Sequence, residues 1–191
     1  MERQIELRLV ARLKAGDPAA FEAIYEAYRP RLFGFLVRMS RRRDLAEDLL
    51  EETWLRLVTR AETLGDDTPL APWLFAVARN LYFSWRRSRG VDAARTSELD
   101  PAWSAPERGD SPFAAAAASE LERRVEAALA RLPLADRELL LLTGVEGLSP
   151  AEAAQACGLP PVTLRARLHR ARERLAAEMG TSRAELRAAA G

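Results

Sequence analysis

One segment near the C-terminal end of the chain, residues 148–175 (LSPAEAAQACGLPPVTLRARLHRARERL), constrains the fold more than any other. Ser149 is a favourable N-cap, a proline follows at the first helical position, and Glu152 completes a capping box. Gly158 can adopt the left-handed conformation that ends a helix, and the prolines at 160–161 stop that helix and prepare a new start. The pattern therefore predicts two short helices joined by a tight turn.

The second of these helices is predicted to be amphipathic. Its apolar residues recur at helical spacing and form one stripe: Leu164, Leu168, Ala171 and Leu175. The other side is rich in arginine and contains Thr163, Ala166, Arg167, Arg170 and Arg174, with Arg165 and Arg172 on the flanks. A guanidinium can hold a guanine edge or a phosphate, and in a helix-turn-helix the start of the second helix reaches base edges. Such a face can also be a solvated surface, but its coincidence with the turn and the caps favours DNA binding.

Composition restricts the other functions open to the chain. The 191 residues are 48% apolar and 30% charged, enough for one or two small folded domains. A single cysteine excludes an intrachain disulfide, and no apolar run approaches the roughly 20 residues of a membrane span. No signal peptide opens the sequence. We therefore expect a cytoplasmic protein without membrane insertion.

Residues suited to catalysis are scarce. His169 is the only histidine and Cys157 the only cysteine, and neither has a plausible set of catalytic partners in the sequence. Neither a phosphate-binding glycine loop nor metal-ligand spacing is present. We therefore expect no catalytic residue, no metal site and no cofactor, and the sequence does not indicate an enzyme.

The rest of the chain reads as helical, because its apolar residues recur three and four positions apart. The sequence predicts an all-α fold of two small helical domains, at 1–89 and 119–179, joined by a flexible linker at 90–118 and followed by a short tail at 180–191. The linker interval is acidic and rich in Pro, Ser, Asp and Ala. Helices are expected at 5–15, 44–60, 72–89, 114–132 and 136–145. A further helix is expected to begin at Pro18 with Asp17 as N-cap, and a separate one at Pro30. Asp44 is the expected cap of the helix at 44–60, and Pro72 is expected to begin the helix at 72–89.

The predicted helix at 44–60 has an unusual outer face. Its core side contains Leu45, Leu49, Leu50, Thr53 and Leu57, and the opposite side contains Asp48, Glu51, Glu52 and Leu55. A cluster of carboxylates is usually a solvated surface. An exposed leucine surrounded by acidic groups is also typical of a docking surface for a basic partner.

The predicted helix at 72–89 alternates between core and polar positions. Its expected core residues are Leu74, Val77, Ala78, Leu81 and Trp85, and its other side contains Trp73, Arg79, Asn80, Phe83, Arg86 and Arg87. Aromatic rings stack on unpaired bases, arginines hold phosphates, and an amide can read a base edge, so this side suits single-stranded DNA. Alternatively, Trp73 and Phe83 are additional core residues.

Three motifs in this order resemble the extracytoplasmic-function sigma factors, the two-domain group of the bacterial sigma-70 family. They are residues 44–56 (DLAEDLLEETWLR), residues 72–80 (PWLFAVARN), and a C-terminal set at 132–138, 146–149 and 168–172 (LPLADRE, EGLS, LHRAR). The resemblance covers nearly all of the chain except the linker and the tail.

The resemblance implies a role for each surface. The acidic helix is similar to region 2.2, which would dock Asp48, Glu51, Glu52 and Leu55 on the β′ clamp of core RNA polymerase. The loop at 61–71 and the helix after it are similar to regions 2.3 and 2.4, which open the −10 element; this assigns Trp73, Arg79, Asn80, Phe83, Arg86 and Arg87. The helix-turn-helix is similar to region 4.2, which implies contact with the β flap and with the −35 element through Thr163, Arg165, Ala166, Arg167, Arg170 and Arg174. Many relatives also bind an anti-sigma factor.

The sequence departs from the family pattern at three places. Glu51 stands where the family often has Gln, Leu70-Ala71-Pro72 where it often has Phe-Arg-Ala, and Ala166 where it often has Ser. The last two changes remove groups from the expected DNA-binding surfaces. A stand-alone helix-turn-helix regulator, with residues 1–89 as a sensing domain, is the alternative interpretation.

Overall fold

The structure is a computed structural model that describes residues 3–90 and 112–180, and it is all-α in both ranges. Eight α-helices lie in the described residues: α1 (Arg3–Lys14), α2 (Pro18–Ser40), α3 (Arg43–Arg60), α4 (Leu70–Ser88), α5 (Pro112–Arg131), α6 (Leu134–Leu140), α7 (Pro150–Cys157) and α8 (Pro161–Glu178). A 3-10 turn, Ala61–Thr63, follows α3, and a π-helical turn, Leu141–Val145, extends α6. The all-α prediction is confirmed. The predicted tail after residue 180 and most of the predicted linker lie outside the described residues, and α5 begins at residue 112, inside the linker interval.

The helix caps predicted for α2 and α7 are present. The Asp17 carboxylate accepts a hydrogen bond from the Ala19 N–H at 2.9 Å and starts α2. At α7, Ser149 and Glu152 form the complete capping box, with the Ser149 N–H donating to the Glu152 carboxylate at 2.8 Å. Gly158 ends α7 with φ 64°, in the left-handed region that glycine adopts without a Cβ clash.

Three expected helix starts were wrong. Pro30 does not begin a helix but lies inside α2, where Tyr28 and Leu32 are fully buried on either side of it. Burial on both sides stabilises the continuous helix against the loss of a hydrogen bond that an internal proline causes. Asp44 is not the cap of α3, because its carboxylate is paired with Arg42, the residue at the N-cap position.

The start of α4 also differs from the sequence-based expectation. The helix begins at Leu70, two residues before Pro72, with Pro69 at the N-cap position. The first four N–H groups of any helix lack an intrahelical acceptor, so a proline in the first turn costs no hydrogen bond. A proline inside the first turn therefore marks the start of a helix only to within a few residues.

Residues 3–90 form the first helical unit, here called the N-terminal half. Its centre is filled by fully buried side chains from α2, α3 and α4, including Ile24, Phe35, Leu57 and Phe75. The Phe35 and Phe75 rings meet edge to face, with centroids 5.4 Å apart. Each such side chain contributes about 1.5–3 kcal/mol on burial. This core fixes α3 and α4 side by side and thereby fixes which of their faces remain outside.

Residues 112–180 form the second unit, the C-terminal half, in which α8 packs against α6 and α7. The predicted stripe of α8 is confirmed in its first three members, because Leu164, Leu168 and Ala171 are buried, whereas Leu175 is half-buried. Ala153, Ala154 and Cys157 of α7 are buried in the same core.

The two halves pack against each other. Helix α4 contacts α7, and α2 contacts α6. Three ion pairs join the halves, namely Arg31–Glu146 at 3.1 Å, Arg38–Glu126 at 2.7 Å and Arg79–Glu138. Arg137 of α6 adds a hydrogen bond to the Arg38 carbonyl at 3.2 Å. The carboxylates of these pairs are at most 10% exposed, so both halves contribute charged groups to a largely dry interface.

Candidate polymerase and nucleic-acid interfaces

The outer face of α3 has the composition that the sequence predicted. All five expected core residues of this helix are buried. On the opposite side, Asp48 and Glu51 are exposed and Glu52 is half-buried, with an ion pair to Arg56 at 2.9 Å. The Leu55 side chain between them is 57% exposed. We call Asp48, Glu51, Glu52 and Leu55 the acidic face.

The acidic face extends further along α3 than the sequence analysis proposed. Val58 is 54% exposed, comparable with Leu55, and lies three residues beyond it on the same side of the helix. A second exposed aliphatic side chain enlarges the apolar part of the surface. The i, i+3 spacing of Leu55 and Val58 was the signal that could have identified it.

On α4, three of the predicted −10 residues form one cluster. The Arg79 guanidinium lies 4.6 Å from the centroid of the Phe83 ring and donates a hydrogen bond to the Asn80 side-chain oxygen at 3.0 Å. Asn80 is exposed, and Phe83 is half-buried. A guanidinium, an amide and an aromatic ring are therefore grouped within about one turn of helix. Trp73 is half-buried a turn and a half earlier, packed against the core, and Arg87 is exposed near the end of the helix.

Arg86 does not lie on the exposed side of α4, contrary to the sequence-based expectation. After its first turn, α4 buries the expected core residues Leu74 and Ala78, together with Phe75, Tyr82 and Arg86. Phe75, Ala78, Tyr82 and Arg86 form a stripe spaced by three and four residues. The Arg86 guanidinium lies 6.0 Å from the centroid of the Tyr82 ring. The expected core residues Val77, Leu81 and Trp85 are only half-buried, because the stripe is displaced around the helix by one residue.

Glu138 connects the α4 cluster to the C-terminal half. Its carboxylate is 5% exposed, pairs with Arg79, and accepts a weak hydrogen bond from the Cys157 thiol at 3.4 Å. Burial, with the Glu138 charge as a second cause, raises the pKa of Cys157 from 9.0 to about 12. The thiol is therefore neutral at physiological pH, and Arg79 is engaged by a partner on α6.

Helix α8 exposes nearly all of its predicted DNA-binding residues. Arg165, Ala166, Arg167 and Arg170 are exposed, whereas Thr163 is half-buried. The Arg174 guanidinium forms an ion pair with Asp136 of α6 and also links the two helices. His169 is exposed on the same helix, 3.7 Å from Glu173. The first half of α8 therefore presents three arginines to solvent.

Two further properties concern only the described parts of the chain. No group of three or more His, Cys, Asp or Glu side chains within residues 3–90 and 112–180 is arranged to hold a metal ion. No helix in these ranges has the length and apolarity required to cross a membrane.

Comparison with known proteins assigns both halves to one family. The family model for sigma-70 region 2 matches residues 24–91, and the model for sigma-70 region 4 matches residues 122–175. RNA polymerase sigma factor CarQ of Myxococcus xanthus is 35% identical over 172 residues, which cover 88% of this chain and 94% of CarQ. ECF RNA polymerase sigma factor EcfG of Rhodopseudomonas palustris is 35% identical over 158 residues, covering 82% and 83% of the two chains.

The chain belongs to the extracytoplasmic-function RNA polymerase sigma factors. These ECF sigma factors are transcription initiation factors, and the family predicted from the motifs is confirmed. Among solved structures, the sigma factor RpoE in complex with the anti-sigma factor NepR from Bartonella quintana is 26% identical, with a TM-score of 0.67 over 85% of this chain and 98% of that one. CnrH in complex with the cytosolic domain of CnrY has the same TM-score at 24% identity, covering 91% and 96%, and shares the fold.

Proposed function

We propose that this ECF sigma factor docks on core RNA polymerase through the acidic face of α3 together with Val58. Two exposed aliphatic side chains bordered by carboxylates suit a partner surface that is apolar at its centre and basic at its rim. On the polymerase, the β′ clamp is the surface that the family resemblance assigns to this helix. A second contact, between the C-terminal half and the β flap, belongs to the same assignment.

The Arg79–Asn80–Phe83 cluster of α4 is proposed to bind the −10 element as an opened strand. The face of the Phe83 ring can stack on an unpaired base, Asn80 can hydrogen-bond a base edge, and Arg79 can hold a phosphate. Trp73 and Arg87 extend the same surface, and Arg86 is excluded from it because it is buried. Arg79 must exchange Glu138 for the nucleic acid before it can act in this way.

The exposed start of α8 is proposed to enter the major groove of the −35 element. Arg165, Arg167 and Arg170 would contact base edges and phosphates there. Thr163 is half-buried, and Arg174 is held by Asp136, so we assign both to the margin of this surface. On this proposal, residues 1–89 engage the polymerase and the −10 element, and residues 119–179 engage the −35 element.

A regulatory partner is also proposed. RpoE of Bartonella quintana, with a similar fold, was solved with the anti-sigma factor NepR bound. An anti-sigma factor for the present chain would block transcription by covering the acidic face or by holding α4 and α7 together.

The exposed apolar-acidic face of α3 is the observation that carries the proposal, since a stand-alone regulator has no use for it. Purified chain should co-elute with core RNA polymerase in gel filtration at moderate salt. Leu55→Asp together with Val58→Asp should abolish co-elution and leave the helical circular dichroism unchanged, because both side chains are exposed. Failure of the wild-type chain to co-elute would contradict the proposed function.

A further inference from the structure

The centre of the exposed face of α8 is apolar. The Val162 side chain is 77% exposed, more than any other large hydrophobic side chain in the described residues. Ala166 lies one turn later and is also exposed. Val162 and Ala166 form a small exposed apolar pair on a helix face that is otherwise rich in arginine.

The direction of these two side chains follows from the buried stripe. Leu164, Leu168 and Ala171 point into the core of the C-terminal half. At about 100° per residue, Val162 and Ala166 lie on the opposite side of the helix, with their Cβ atoms about 5–6 Å apart. They therefore form the part of α8 that extends furthest from the domain.

Positive charge flanks this apolar pair. Arg165 and Arg170 are exposed on either side of it, and His169 lies one turn beyond. A partner surface that fits must offer anions at its margins and apolar groups between them. Duplex DNA offers both in the major groove, where phosphates line the rims and the thymine 5-methyl is the apolar group on the base edges. Two small side chains are too few to anchor a helix in a bilayer.

We propose that Val162 and Ala166 read thymine 5-methyl groups in the −35 element, an inference that rests on the proposed function of α8. Base pairs stack about 3.4 Å apart, so two side chains about 5–6 Å apart span one or two base steps. Sequence preference at those positions then comes from apolar contact and not from a hydrogen bond. The arginines on either side supply contacts to guanine or phosphate.

The experiment removes the methyl groups from the DNA. Holoenzyme is titrated with duplexes that carry its mapped −35 element, in which each thymine is replaced in turn by deoxyuridine, so that base pairing is unchanged. We expect binding to weaken about three- to fourfold at one or two neighbouring positions, the effect of losing one buried methyl-sized group. Val162→Ala should reduce the difference between thymine and deoxyuridine at one of these positions. Ala166→Ser should reduce it at the other.

Val145→Ala is the matched control, because it makes the same change at an exposed valine outside α8 and should leave the methyl dependence intact. Any one of three results would overturn the inference while leaving groove binding in place. The mapped −35 element could lack thymine, every deoxyuridine substitution could be neutral, or the methyl dependence could persist in both α8 variants. Binding that does not depend on the −35 sequence at all would overturn the proposed role of α8 and the inference with it.

Discussion

Glu138 is a buried carboxylate at the interface between the two halves, and it contacts side chains of both. Its buried carboxylate faces the Arg79 guanidinium and the Cys157 thiol at once. The charge is compensated by Arg79, and a neutral thiol is the form that can donate to it. Burial, and after it the Glu138 charge, raises the pKa of Cys157 and keeps the thiol protonated. The ion pair with Glu138 keeps Arg79 occupied.

The raised pKa of Cys157 has a consequence for stability at high pH. In the unfolded chain the thiol ionises near pH 9.0, whereas in the native protein it stays protonated up to about pH 12. Its contribution to stability is complete below pH 9 and is lost as the pH rises from 9 to 12, since only the unfolded state releases the proton there. We expect the unfolding free energy of wild type to fall more steeply over this range than that of Cys157→Ala, measured by urea denaturation. Parallel curves would contradict the assignment.

At the acidic face, reversal of charge tests docking. We expect Asp48→Lys or Glu51→Lys to reduce the affinity for core polymerase at least tenfold, or about 1.4 kcal/mol, because like charges then meet across the interface. Both residues are exposed, so the folded state should be retained. Glu22→Lys, the same change at an exposed position on α2, is the control in a competition binding assay. Equal losses for all three variants would indicate a general charge effect and not a docking surface.

At the scale of the elements, the sequence predicts most of α7 and α8 and much less of α4. Ser149, Glu152 and Gly158 act through local hydrogen bonds and backbone conformation, so their effect is visible in the sequence. The face that α4 buries depends on neighbours distant in sequence. A displacement of the buried face by one residue buries Tyr82 and Arg86 where Leu81 and Trp85 were expected. Apolar periodicity does not resolve such a displacement when both alternatives contain aromatic residues.

The candidate sites were likewise predictable where they depend on one helix and not where they depend on contact between the halves. Exposure of the acidic face and of the arginines on α8 followed from helical spacing alone. The pairing of Arg79 with Glu138 did not, because it joins residues 59 positions apart in different halves. No local pattern encodes the docking of one helical unit against another, so the pairing of a proposed DNA-binding arginine with a carboxylate is not predictable from the sequence.

For α8, alanine variants separate base reading from phosphate contact. We expect Arg165→Ala or Arg167→Ala to reduce −35-dependent transcription by ~1–3 kcal/mol if the arginine holds a base with two hydrogen bonds. The loss should then be confined to promoters with the matching base. A contact to phosphate alone would weaken matched and mismatched promoters alike. Transcription assays on both promoter types measure the difference, and no effect on either would remove α8 from the groove.

At the scale of the whole molecule, the packing of the two halves conflicts with simultaneous binding to both promoter elements. The α4 cluster faces α6 and α7 in the structure, whereas recognition of the −10 strand requires that cluster to be free. On the proposed function, the two halves therefore separate at least around α4 when the −10 strand binds.

Weakening the ion pairs between the halves should favour the separated state. We expect Glu126→Gln combined with Glu146→Gln to increase the radius of gyration measured by small-angle X-ray scattering, because Arg38 and Arg31 then lose charged partners that are largely buried. Glu120→Gln is the control, since its exposed ion pair with Arg123 lies within α5. An unchanged radius in the double variant would show that these two ion pairs are not what holds the halves together.

The most direct test of the central claim is transcription initiation in vitro. Core RNA polymerase supplied with this chain should start transcripts at discrete sites on genomic DNA of the source organism, and the mapped sites should share sequences near −10 and −35. Core enzyme alone should produce no such starts. If the chain binds core polymerase yet yields no promoter-specific transcript, the account of two DNA-binding surfaces on one polymerase subunit is contradicted.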